Sequence, residues 1–169
     1  MPPSTRKPPA VEIVGRRRPA TSKSTLRRAA RLVLEGAAPA ASGSVTIVLT
    51  GDAQIRELNR RFRGKDSATD VLSFRLGDGA NANEPFGDIV ISLDAAARQA
   101  HAYRANLEAE VLRLLVHGTL HLCGYDHREP REAARMHALT QRFVQQALGR
   151  PPENRRPSKD DRYRKRRRG

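Results

Sequence analysis

Apolar side chains fall on every second residue at Val45, Ile47 and Leu49, with polar or smaller neighbours between them. That is the period of a half-buried strand. A shorter apolar run, Val11 to Val14, precedes it and reads the same way. Between the two, Leu26, Ala30 and Val33 recur at helical spacing, with Thr21 or Ser22 placed to start a helix and Gly36 to stop it. After the second strand, Asp52 is a candidate cap for a helix whose inward stripe is Ile55, Leu58 and Phe62 and whose end is Gly64. VLSFRL then puts Leu72, Phe74 and Leu76 on one face of a strand, and a Gly/Asn-rich connection leads to its antiparallel partner DIVISL.

Three helices follow. Asp94 is a cap for one running from Ala95 to Arg104, and Asn106 for the next. From Val111 to Cys123 this second helix is apolar on nearly every side, interrupted only by Arg113, His117, Thr119 and His121, so it belongs in the core. Pro130 suits the first turn of the last helix, whose Met136, Leu139, Phe143 and Ala147 face inward, and Gly149 ends it. The order β-α-β-α-β-β-α-α-α predicts an α+β fold with a small mixed sheet of four strands and about five helices. One domain is expected over residues 11–149, between a disordered, Pro-rich segment at 1–10 and a flexible tail at 150–169.

Charge sharpens this division. The net charge of +14 resides at the ends. Residues 1–31 hold nine Lys/Arg against one Glu, and residues 150–169 hold ten against three acids. The interior is close to neutral, with thirteen basic and fourteen acidic residues. Basic ends on a neutral body favour a polyanion through phosphate contacts and counterion release, unless they only confer solubility. The single cysteine, Cys123, excludes an intramolecular disulfide and fits a reducing compartment. No run approaches the roughly 18 apolar residues of a membrane span, and the first residues lack the apolar stretch of a secretory signal. A cytoplasmic protein with no membrane partner is the expectation.

The chemistry concentrates in HGTLHLCGYDH, residues 117–127. His117 and His121 share one face of the core helix, one turn apart. Gly124 turns the chain and His127 returns a third imidazole. Three neutral imidazoles suit Zn²⁺ and leave a fourth position for water, although nickel, cobalt and iron also accept imidazole. Asp126 can orient a ligand or simply serve the turn. Cys123 points away from the ligand face and reads as core, while His101 and His137 sit among polar neighbours on other helices. Zinc peptidases of this spacing carry a glutamate after the first histidine, as their base. Gly118 stands there instead, which argues against a peptidase and lets a strand or a substrate backbone approach closely.

These residues resemble the HGxLHLxGYDH signature of the YbeY family, metal-dependent endoribonucleases implicated in bacterial ribosomal RNA maturation. LNRRFRGKDSATDVLSF, residues 58–74, resembles a second family motif, and GDIVIS, residues 87–92, a third. Ala68 departs from a usual proline and Cys123 from a common leucine. The resemblance implies one zinc ion per chain on His117, His121 and His127, with Arg63 near the metal where it can contact a phosphate. On sequence alone the safer reading of Arg63 is a helix-end arginine satisfying carbonyls and the helix dipole, and only the resemblance raises the phosphate role. The implied activity is cleavage of single-stranded RNA in 3′-end processing of small-subunit ribosomal RNA, with the ribosome or its small subunit as partner. The rival is a metal-stabilised ribosome-assembly factor that binds RNA without cutting it.

Overall fold

The structure is a computed structural model that describes residues 7–150, so residues 1–6 and the basic tail from 151 to 169 lie outside the described residues. The elements in order are β1 (Ala10–Val14), α1 (Lys23–Ala37), β2 (Ser44–Thr50), α2 (Asp52–Arg63), β3 (Val71–Arg75), β4 (Pro85–Ser92), α3 (Leu93–Ala102), α4 (Leu107–Leu122) and α5 (Pro130–Ala147). The strands form one mixed sheet in the order β1-β2-β4-β3. β1, β2 and β4 run parallel, and β3 pairs antiparallel with β4, Leu72 opposite Val90. This is the α+β architecture of the sequence reading, with β3 on an open edge. No helix among the described residues is long and apolar enough to cross a membrane.

Strand alternation divides the apolar residues between two faces. Val45, Ile47, Leu49, Ile89 and Ile91 join α1, α4 and α5 in the main core. Val90 and Leu72 point the other way and, with Ile55 of α2, form a smaller cluster edged by Val48, Leu58 and Phe74. α4 lies against the main face and buries ten of its sixteen residues, which accounts for its nearly continuous apolar sequence.

Several local expectations change. Gly36 does not end α1, which continues to Ala37. A Cβ at Gly36 would come within 3.0 Å of the Phe143 ring, so the glycine admits α5 closely instead of breaking the helix. Asp52 is the first residue of α2, and Gly51 is its N-cap. The cap hydrogen bond comes from elsewhere: the Asp52 N–H donates to Asp94 Oδ2 at 2.9 Å. Asp94 lies in the first turn of α3, which starts at Leu93 and is capped instead by the Ser92 hydroxyl, accepting from the Ala95 N–H at 3.2 Å. Sequence spacing cannot reveal a cap supplied across space.

Phe62 also departs from its expected place. It is 59% exposed and meets Phe74 edge to ring, centroids 5.4 Å apart. Buried Asn59 takes the inner position, donating from Nδ2 to the Ser67 carbonyl at 2.9 Å and tying down the loop after α2. β3 is the edge strand, so among the described residues no further strand covers the final turn of α2.

Candidate metal centre

α4 ends as a Schellman turn, and that turn builds the site. The Tyr125 N–H donates to the Leu120 carbonyl at 3.1 Å and the Gly124 N–H to the His121 carbonyl at 3.0 Å. Gly124 sits at φ +92°, where a side chain would be strained. The reversal carries His127 back beside the two histidines of α4. Ring centroids lie 4.7 Å apart for His117 and His121, 5.0 Å for His121 and His127, and 5.6 Å for His117 and His127. One ring nitrogen from each falls within 4.8 Å of the others. The Nε2 atoms of His117 and His121 are 3.1 Å apart. A small divalent ion held tetrahedrally at about 2.0–2.1 Å spaces its ligand atoms roughly 3.3 Å apart, so the donor set fits such an ion.

The protonation states suit ligation. His121 Nδ1 lies 2.9 Å from the Tyr125 carbonyl, which can only accept, so Nδ1 carries the proton and Nε2 keeps its lone pair toward the cluster. Burial, then the neighbouring His121, His127 and Arg113, push the His117 pKa down to about 4, against a smaller opposing pull from Asp70. Burial likewise lowers His121, opposed by the Tyr125 hydrogen bond. Arg63 is close enough to add its positive charge to that lowering. Among the described residues the Arg63 side chain makes no salt bridge and no hydrogen bond to the carbonyls at the end of α2.

Gly118 is explained by the sheet. A Cβ there would lie 2.8 Å from Ile89 Cγ2, 3.0 Å from Val71 Cγ2 and 3.1 Å from Ser73 Oγ. The Ser73 hydroxyl donates to the Gly118 carbonyl at 2.9 Å, fastening β3 to α4 between the two histidines. A strand is thus what approaches Gly118, and a glutamate would have no room. Asp126 serves the turn: one oxygen accepts the His127 N–H at 2.7 Å, and the other pairs with Arg128 Nε at 2.9 Å. Cys123 packs against the core, and burial pushes its thiol up to about 11. His101 and His137 are exposed and stand apart from the cluster.

A polar chain beside His117 escaped sequence reasoning. Arg113 Nη2 bonds Glu110 Oε1 at 2.6 Å and Gln99 Oε1 at 3.1 Å, and Gln99 Nε2 bonds Asp70 Oδ2 at 3.0 Å. The other Asp70 oxygen accepts the Val71 N–H at 2.8 Å. The visible signal was Glu110 and Arg113, one turn apart on an otherwise apolar helix. Arg75 adds a clamp, donating to the Leu122 carbonyl at 3.1 Å while its guanidinium lies 5.1 Å from the Phe86 ring centroid.

Three convergent imidazoles beside the open edge of a mixed sheet define an α+β protein able to hold a metal ion. The family follows from comparison: the family model described as Endoribonuclease YbeY matches residues 15–148, and the chain belongs to that family. An Endoribonuclease YbeY of Anaeromyxobacter sp. (strain Fw109-5) is 50% identical over 121 residues, 72% of this chain and 62% of the relative. The chain thus spans less than two thirds of that relative's length. One from Thermus thermophilus is 46% identical over 122 residues, 70% of this chain and 87% of the relative. The solution structure of TM1509 from Thermotoga maritima is similar with a TM-score of 0.56 at 27% identity, covering 86% of this chain and 99% of that one.

Proposed function

We propose that this protein is a zinc-dependent endoribonuclease that cuts single-stranded RNA and acts in 3′-end maturation of small-subunit ribosomal RNA. The observation that carries the reading is the convergence of His117, His121 and His127 with the charge of Arg63 close by. The name Endoribonuclease YbeY borne by the relatives supports it. His117, His121 and His127 would hold the ion, whose positive charge polarises a phosphoryl oxygen and lowers the pKa of a bound water. Arg63 has no carboxylate partner among the described residues, so its forked N–H donors are available to the non-bridging oxygens of a phosphodiester. Gly118 supplies no base, and the Asp70 and Asp126 carboxylates are already engaged by Gln99, Arg128 and backbone N–H groups. Gly118, Asp70 and Asp126 thus offer no free base beside the cluster, and a metal ion held by the three histidines would supply the acidity that a water nucleophile needs.

The test is incubation of the zinc-loaded chain with end-labelled ribosomal RNA, with and without chelator. Cleavage that chelator abolishes and zinc restores is expected. RNA binding without cleavage under any metal would instead make the chain an assembly factor.

A further inference from the structure

The chain has four phenylalanines. Phe86 and Phe143 are buried and Phe74 is partly covered, whereas Phe62 is 59% exposed at the last turn of α2. A single exposed ring would need no explanation. This one continues into an apolar strip. Phe74 packs edge to ring against it, and Leu76, on the same side of the edge strand by the period of two, is 55% exposed. The Leu76 N–H still pairs with the Phe86 carbonyl at 3.1 Å, so the strip follows the open edge of the sheet.

Cations accompany it. The Arg61 guanidinium lies 5.5 Å from the Phe62 ring centroid. Arg56 and Arg60 are neutralised by Asp66 and Glu57, but Arg61 and Arg63 form no salt bridge among the described residues. Arg63, the next residue, brings its charge to His121. An exposed aromatic ring with unpaired arginines on either side is the pattern that holds a single strand, phosphates on the cations and bases on the ring. A protein partner would fit the apolar strip but would leave those cations without acidic counterparts on this chain's side of the contact.

We propose that Phe62, backed by Phe74, receives a base of a single-stranded RNA whose phosphates meet Arg61 and Arg63 on the way to the histidine cluster. This rests on the RNA reading above and adds the residue that grips the strand. Any base offers a ring face, so the grip selects single strands over duplexes without selecting sequence.

The test mixes the zinc-loaded full chain with single-stranded RNA carrying one 2-aminopurine, moved along the strand, and reads fluorescence in a stopped-flow instrument before cutting. At one position wild type should quench the probe. Phe62→Ala should lose that quench and weaken binding about 5- to 150-fold, the range of one base–aromatic stack. Zinc content and melting temperature should stay unchanged, and Phe62→Tyr should retain both quench and affinity. An abasic nucleotide at the same position should weaken wild type by a similar factor and Phe62→Ala no further, because both remove one contact. Wild-type affinity in Phe62→Ala, or losses that multiply, overturns the proposal and leaves the strip to a protein partner. If wild type binds and cuts RNA in that case, only the strip is lost; if it does neither, the endoribonuclease reading falls with it.

Discussion

Gly118→Ala isolates the contact that joins the site to the sheet. The added methyl would sit 2.8 Å from Ile89 Cγ2, 3.0 Å from Val71 Cγ2 and 3.1 Å from Ser73 Oγ. Two of these neighbours are β-branched side chains with stiff χ1 angles on paired strands. The third is held by its bond to the Gly118 carbonyl. None is the loose end of a flexible chain, so α4 must back away from the sheet, and overpacking of this kind costs about 1–3 kcal/mol. Alanine in place of glycine within a helix returns about 1 kcal/mol. The balance expected is a loss of up to about 2 kcal/mol, or as much as roughly 8 °C in melting temperature for a chain of this size. Because His117 precedes the glycine, the same displacement should weaken metal affinity. Calorimetry and urea unfolding of the metal-loaded chain measure the first, and a competitive chelator titration the second. Gly36→Ala is the control: its methyl meets a ring edge of Phe143 at 3.0 Å, which can tilt, so it should stay within about 1 kcal/mol of wild type. A Gly118→Ala chain as stable as wild type, with unchanged metal affinity, would refute the reasoning.

Three further expectations follow from the site. His121→Ala should bind less than one metal ion per chain by elemental analysis and lose the ligand-linked stability, about 2.7 kcal/mol at a metal concentration a hundredfold above Kd; an unchanged stoichiometry would rule out the three-histidine site. Arg63→Ala should slow RNA cleavage about a hundredfold at unchanged metal content and melting temperature, and Arg63→Lys should recover only part, since an ammonium cannot fork; equal rates in all three proteins would remove Arg63 from the reaction. In the metal-free chain His117 is held at a pKa of about 4 against an ordinary 6.5, so between these values the unfolded chain binds more protons. Stability from this group is full above about pH 6.5 and lost as pH falls toward 4. Urea midpoints measured across that window should fall with acidity less steeply in His117→Gln than in wild type; parallel curves would show that His117 is not buried as described.

The elements of the fold were legible because each is set by local periodicity and a few local stops. Val45, Ile47 and Leu49 at period two, the apolar run of α4 and the αL positions of Gly64 and Gly124 depend on neighbours in the chain. The histidine triad was legible for the same reason: a helical turn separates His117 from His121, and a glycine turn closes His127 onto them. What depends on distant partners was not legible. Asp94 caps α2 from forty-two residues away, and Gly36 admits Phe143 of another helix. Gly118 was open to a strand or a substrate until the sheet stood against it. Phe62 sits on the inward side of its helix by spacing, yet it is exposed because β3 is the edge of the sheet, and strand order is a long-range property. The nearness of Arg63 to His121 joins the end of α2 to the end of α4 across that same edge. Local spacing specifies which side chains share a face, whereas only the packing of faces specifies what each side chain meets.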